Sequence, residues 1–383
     1  MTTDNPFVYG EIVSAGAFAN REHERERLAS DLAAGQKVFL ISPRRYGKSS
    51  LIRDVMHGLA RQRIVTVEVT VAASSSYLGF LESYARALVS ADTPAARLRR
   101  WAGELLQGIR PELRFDAQAP TGARFSLAFP AVRTAREVAR LASEVYALPA
   151  RIAAARNRRV AIALDEFQTI ASFDGGSVEH ALRAAVQEQR QVGYVFAGSE
   201  PSLMERMLTP RRPFYKAGPV MRLEKIDEDE FAAFLEMRLR ASGLAFEAGL
   251  GHAIVELAGN VPYDVQRLAH EMWDDVRAAR RSAVRLEDLH LTLTRLLGEQ
   301  HTVFEESWQR LTLTQRAVLR ALVLESGRVL LSGDVRMRHR LPGASSVQSA
   351  LAALVKQDVV MKEGGAYTVT DSLFREWVAR RTF

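Results

Sequence analysis

The chain of 383 residues contains no cysteine. That excludes disulfides and cysteine-ligated zinc, and it fits the expectation of a cytoplasmic protein. No apolar run approaches the roughly eighteen residues a membrane helix needs, so no membrane partner is expected. The opening Met1-Thr2-Thr3-Asp4-Asn5-Pro6 lacks a basic stretch followed by an apolar one, so no signal peptide is expected. The 8 histidines include no H-E-x-x-H spacing, which removes support for zinc-hydrolase chemistry. His252, His270, His290 and His301 read as surface or packing residues, and Trp273, Trp308 and Trp377 as core. Lysine is scarce beside arginine. The formal charge of +7 permits nucleic-acid binding without establishing it. At 47% hydrophobic residues the chain can build real cores, and its length suits two or three domains.

What is present is organised around Lys37-Val38-Phe39-Leu40-Ile41-Ser42-Pro43-Arg44-Arg45-Tyr46-Gly47-Lys48-Ser49-Ser50. Val38 to Ile41 reads as a buried parallel strand, Ser42-Pro43 as a turn, and Gly47-Lys48-Ser49 as the start of an amphipathic helix. Strand, loop and helix in that order are the context of a phosphate-binding loop. Amides of the loop and first helical turn point at an anion, and the helix dipole adds partial positive charge. Gly47 lets the backbone close on phosphate. Lys48 reaches the β- and γ-phosphates, and the Ser49 hydroxyl ligates magnesium. Ser42 stands where the pattern has glycine, which serine can replace if its φ is negative.

The next apolar run reads as a second strand. Arg63 to Val71 is β-branched, and 77–90 and 93–108 have helical spacing. Between Pro111 and Pro130, Leu113, Phe115, Phe125, Leu127 and Phe129 alternate with polar residues around Pro120-Thr121-Gly122, a β-hairpin inserted among helices. Helix resumes over 134–156, with Pro149 kinking or dividing it.

Val160-Ala161-Ile162-Ala163-Leu164-Asp165-Glu166-Phe167-Gln168 is a buried strand ending in two carboxylates. In a parallel sheet that end lies beside the phosphate loop. Asp165 is then set to hold magnesium and Glu166 to polarise an attacking water. Val192 to Gly198 is a further apolar strand. Ser199 after it either senses phosphate and positions water or caps a helix over 201–208. Arg211-Arg212-Pro213-Phe214-Tyr215-Lys216 is either a basic surface loop or a source of an arginine for a phosphate.

From 227 the strands give way to helices, the first capped by Asp227 and others near 250–258, 262–280 and 286–298, with the turn Gly259-Asn260-Val261-Pro262-Tyr263 between two of them. This stretch reads as a helical lid over a nucleotide. Beyond about 305, helices at Leu313–Leu324, from Ser332 and over Ser345–Lys356 precede a hairpin at 359–369. That is the order of a winged helix-turn-helix. Arg336, Arg338, Arg340 and Lys362 are its candidate DNA-phosphate contacts. The third helix is nearly uncharged, so base reading is not expected, and a protein partner is the alternative.

The series Asn20-Arg21-Glu22, Ser42-Pro43-Arg44-Arg45-Tyr46-Gly47-Lys48-Ser49, Leu164-Asp165-Glu166-Phe167-Gln168, Ala197-Gly198-Ser199 and Gly259-Asn260-Val261-Pro262 resembles the archaeal-type ATPases of the STAND group, relatives of AAA+ proteins. Asn20 and Ser42 stand where that family usually has glycine. The resemblance implies an α/β P-loop NTPase core with a parallel sheet over 1–224, a helical lid over 225–300 and a winged helix over 301–383. It implies catalytic roles for Lys48, Glu166 and Ser199 and magnesium on Ser49 and Asp165. ATP would be held by Ser42, Arg44, Arg45, Tyr46, Gly47, Lys48, Ser49 and Ser50, with Asn20 and Arg21 near adenine and Pro262 linking nucleotide state to the lid. The expected function is a slow regulatory ATPase switch, with ATP and Mg2+ as ligands and a winged helix acting on DNA or a protein. The alternatives are a replication-initiator-like DNA binder holding nucleotide structurally and a nucleotide-gated scaffold without DNA binding; a nucleotide-dependent oligomer is a further expectation on partners.

Overall fold

The computed structural model describes residues 4–10, 21–91, 112–116, 124–129, 132, 134–173, 177–325, 329–363 and 365–381. Asn20 and the helix expected over 93–108 lie outside them. By internal contacts the chain divides into two compact units, one of Ile12–Glu224 and one of Met1–Glu11 with Lys225–Phe383.

The first unit is built on a five-stranded sheet in the order β2-β5-β6-β1-β7. Its strands are β1 (Lys37–Ile41), β2 (Val65–Thr70), β5 (Val160–Asp165), β6 (Val192–Gly198) and β7 (Val220–Arg222), and all pairings are parallel. The separate antiparallel pair β3 (Glu112–Asp116) and β4 (Arg124–Ala128) is the inserted hairpin, with Leu113 opposite Leu127. Strand residues alternate between faces because successive side chains point to opposite sides. Val38 and Leu40 join a core with Leu51, Val55 and Leu28, from helices Lys48–Arg61 and Glu22–Ala33. Phe39 and Ile41 join the other core, with Phe80, Tyr84, Leu141 and Val145. Burial on both faces is what makes these strands read as continuous apolar runs. On the second face Phe39 stacks on Phe196 at 5.0 Å between ring centres, and Phe167 meets Phe196 at 4.6 Å. Each such fully buried phenyl contributes about 1.5–3 kcal/mol.

Helix Ala135–Arg156 runs unbroken through Pro149, so of the expected kink or division the division does not occur. Proline costs an interior hydrogen bond, about 3 kcal/mol. The buried Val145, Leu148, Pro149 and Ile152 hold the helix together across it by packing. Its start is closed by a capping box between Thr134 and Glu137.

In the second unit, Asp227 caps helix Glu228–Ala241 by accepting from the Asp229 and Glu230 amides, each at 3.1 Å. Helices Leu250–Leu257, Pro262–Ala278 and Leu286–Glu299 follow, then His301–Gln309, which the periodicity did not single out. The N-terminal strip, counted with the core on sequence grounds, hydrogen-bonds in this unit: the Asn5 amide donates to the His270 carbonyl at 3.0 Å. The tail consists of helices Leu313–Leu324, Gly333–Arg338 and Ala344–Lys356, the hairpin Val360–Glu363 with Ala366–Val369, and a final helix Ser372–Arg381. Among the described residues no helix is long and apolar enough to cross a membrane.

Candidate nucleotide site

Sheet register brings three strand ends to one edge of the first unit. Ile41 is level with Gly198, and Leu164 with Phe196. The residues that follow, Ser42, Asp165 and Ser199, therefore emerge together where helix Lys48–Arg61 begins. Strand β6 lies between β1 and β5, so Ser199 rises between the phosphate loop and the two carboxylates.

The loop has the backbone an anion cradle requires. Gly47 precedes the helix at φ 83 and ψ 13, and Arg45 also has a positive φ of 70. A Cβ at Gly47 would meet nothing within 4 Å, so glycine is there for its φ and not for space. The residue before the helix is Gly47, which has no side chain with which to cap it. Ser42 is fully buried and is not among the residues with positive φ, so serine fits where glycine was expected. Its amide donates to the Gly198 carbonyl at 3.2 Å and its hydroxyl to the Pro43 carbonyl at 3.0 Å.

Lys48 is buried and pairs with Asp165 and with Glu166, the latter at 3.1 Å. The Ser49 hydroxyl donates to Asp165 Oδ2 at 2.9 Å. Glu166 is at φ 52, a left-handed conformation that costs a non-glycine residue about 1–2 kcal/mol. Its Oε2 accepts from the Ser199 hydroxyl at 2.5 Å and from the Gln168 amide at 2.6 Å. Burial pushes the Glu166 carboxyl up. The Ser199 hydroxyl, the Lys48 ammonium and the Gln168 amide outweigh it and hold the group below its ordinary range.

The structure thus brings Lys48, Ser49, Asp165, Glu166 and Ser199 into one hydrogen-bonded cluster. Ser199 does not cap a helix: the N-cap of Pro201–Met207 is Glu200. Arg21 is buried behind the loop, donating to the Tyr46 carbonyl at 3.3 Å and the Glu224 carbonyl at 2.7 Å. Arg44 and Arg45 are exposed, Arg44 lying 3.7 Å from Glu200; Tyr46 and Ser50 are buried. Arg212 is tied at 2.7 Å to the buried Glu179. Gln168 was not among the expected site residues. Its signal was its place two residues beyond Glu166.

Magnesium suits this donor set. Ser49 and Asp165 offer hard oxygens that converge, and magnesium takes one or two protein oxygens together with phosphates.

In the second unit Pro262 opens helix Pro262–Ala278 after a turn with positive φ at Gly259 and Asn260. The Asn260 amide donates to the Ile226 carbonyl at 2.8 Å. On the winged helix Arg338 pairs with Glu325 at 2.5 Å and Arg336 donates to the Leu331 carbonyl at 3.2 Å. Arg340 is exposed, and Lys362 lies 5.4 Å over the Tyr367 ring.

The family model described as "Probable winged helix domain" matches residues 302–380. Among solved structures the chain is similar to the Walker-type ATPase PABY2304 of Pyrococcus abyssi, with TM-score 0.62 and 17% identity over 95% of this chain and 97% of that one. It is similar to the Aeropyrum pernix ORC2 protein, solved as ADPNP–ADP complexes, with TM-score 0.55 and 13% identity over 98% and 95%. The Aeropyrum pernix ORC1 protein, solved in complex with DNA, gives TM-score 0.52 and 14% identity over 96% and 94%. No curated protein matches the chain. The fold is therefore that of a P-loop ATPase with a parallel sheet and a C-terminal winged helix. Within that class it is the fold of the archaeal Walker-type ATPases and Orc1 proteins.

Proposed function

We propose that the protein binds ATP with Mg2+ at the loop Ser42–Ser50 and hydrolyses it slowly, as a regulatory switch read out by its winged helix. The observation that carries this is the convergence of Lys48 and Ser49 on Asp165 and Glu166 at a helix start whose N-cap is glycine. The loop amides and Lys48 bind the phosphates, and Ser42, Arg44, Arg45, Tyr46 and Ser50 shape and flank the cradle. Ser49 and Asp165 hold magnesium, which supplies positive charge against the phosphoryl oxygens. Glu166 accepts a proton from the attacking water, and Ser199 orients that carboxylate and senses the terminal phosphate. Asn20 and Arg21 serve the adenine side, and Pro262 links nucleotide state to the lid.

The ion pairs support slow turnover. Lys48 must leave two carboxylates to bind phosphate, and both Glu166 oxygens already accept hydrogen bonds. Lys48→Ala abolishes ATP binding under this reading, while Glu166→Gln binds ATP normally and loses turnover. Normal ATP binding by Lys48→Ala would refute it.

The exposed face of helix Ala344–Lys356 carries Ser345, Ser346, Gln348 and Ser349 and no charge before Lys356. This favours backbone contact to DNA through Arg336, Arg338, Arg340 and Lys362 over base reading. A protein partner gated by nucleotide, or a change of oligomeric state, is the competing readout.

A further inference from the structure

Gln168 is the one member of the cluster to which neither the loop motif nor the paired carboxylates assign a task. It is 6% exposed, on the short 3-10 turn Phe167–Ser172 that follows Glu166. Its Nε2 donates to Glu166 Oε2 at 2.6 Å. The Ser199 hydroxyl holds the same oxygen at 2.5 Å, and Lys48 holds the other, Oε1, at 3.1 Å. The carboxylate is therefore gripped asymmetrically. One oxygen is fixed by two neutral donors from the core unit's own framework. The other is bound to the group that a phosphate would recruit.

We propose that Gln168 is a positioning residue for Glu166: with Ser199 it clamps Oε2, so that Oε1 is the oxygen left to meet water when Lys48 turns to phosphate. This rests on the reading of Glu166 as the base. Three observations support a positioning task over plain packing. Glu166 sits in a left-handed conformation at φ 52, a strained backbone that needs an anchor on its side chain. Gln168 Oε1 is buried with no hydrogen-bond partner among the described residues, so an apolar side chain of the same size would suit the core at least as well. Gly198 leaves the amide its space: a Cβ there would lie 2.8 Å from Gln168 Oε1. A glutamine retained at the expense of a buried acceptor is what a trade of stability for activity looks like.

The test is Gln168→Leu, assayed for ATP affinity with a fluorescent ATP analogue and Mg2+, for steady-state turnover, and for thermal unfolding. The expected result is an affinity within about twofold of wild type, a kcat lower by about tenfold, equivalent to about 1.4 kcal/mol, and an unfolding midpoint unchanged or raised, because the lost bond to Glu166 is offset by removing the buried, unpartnered Oε1. Ser199→Ala in the same background should cost less than its effect alone, because both groups hold one oxygen. Unchanged kcat in Gln168→Leu, beside an inactive Glu166→Gln, overturns the positioning role and leaves the base reading standing. A fall in unfolding midpoint matched by loss of affinity assigns Gln168 to structure and also overturns it. Full turnover by Glu166→Gln removes the base reading itself, and the clamp with it.

Discussion

Ser49 donates its hydroxyl to Asp165 Oδ2 at 2.9 Å, joining the first turn of the helix after β1 to the last residue of β5. The two oxygens converge although β6 separates their strands. A cation held by both would be lost from one side if the hydroxyl went. Ser49→Ala should therefore lower ATP affinity by about tenfold with magnesium present, the order expected from one charge-assisted contact of about 1.5 kcal/mol. Affinity in chelator should be unchanged. Titrations of both proteins with and without magnesium measure this, and an identical magnesium dependence would remove Ser49 from the metal site.

Gly198 closes β6 directly before Ser199. A Cβ there would lie 2.3 Å from Met204 Cγ and 2.5 Å from its sulfur. Gly198→Ala should destabilise the core unit by about 1–3 kcal/mol through overpacking. Met204→Ala in the same chain should recover part of that, because methionine is the flexible partner. Chemical denaturation of the single and double variants decides it. No recovery would mean that Gln168 Oε1, 2.8 Å from the same position, resists the methyl group in place of Met204.

The parts of the fold visible in the sequence are those where burial and spacing agree. Val38–Ile41 and Val160–Leu164 are apolar without interruption because both faces of their strands are covered, and Gly47-Lys48-Ser49 marks the helix between them. What the pattern hid depends on backbone turns and packing. The sequence leaves Ser199 either sensing phosphate and positioning water or capping a helix, and the strand order, with β6 between the other two, brings it to Glu166. Gln168 looks like any polar residue after a strand until Glu166, at φ 52, folds the chain back on itself. Pro149 reads as a breaker, and tertiary packing overrides it. Helix His301–Gln309 is short with a single buried residue, Phe304, so its periodicity is faint.

If the winged helix meets DNA through phosphates, its affinity must fall with salt. Each neutralised phosphate contributes about 0.9 to the slope of log affinity against log salt. Replacing Arg336, Arg338 and Arg340 together by alanine should reduce that slope by about 3. Because Arg338 already pairs with Glu325 at 2.5 Å, Arg338→Ala alone should have the mildest effect of the three. Binding curves on unrelated duplexes at several salt concentrations test this. A slope that the triple change does not alter would point to a protein partner instead.

Tyr9 and Glu271 give the second unit a stability window with two edges. The Tyr9 hydroxyl donates to Glu271 Oε1 at 2.5 Å, and Arg295 donates to Oε2 at 2.9 Å. Burial pushes the Glu271 carboxyl up, but Tyr9 and Arg295 outweigh it and hold the group below its ordinary range. A carboxyl depressed in the fold adds stability that is present above the unfolded pKa, about 4.3, and is lost as pH falls through the folded value. The hydrogen bond to Glu271, with burial behind it, pushes the Tyr9 phenol up to about 12. A phenol raised in the fold adds stability that is present below its unfolded pKa, about 10, and is lost as pH rises through the folded one. The contribution of the pair should therefore be flat between about pH 5 and 9 and decline on both sides. Tyr9→Phe should erase the alkaline edge and shrink the acidic one, and Glu271→Gln should erase the acidic edge, each lowering mid-range stability by about 1–2 kcal/mol. Urea midpoints for the three proteins from about pH 4 to 11 measure both edges. If wild type and Tyr9→Phe kept a constant difference across that whole range, the contact would be one of shape alone, with no coupling to either proton.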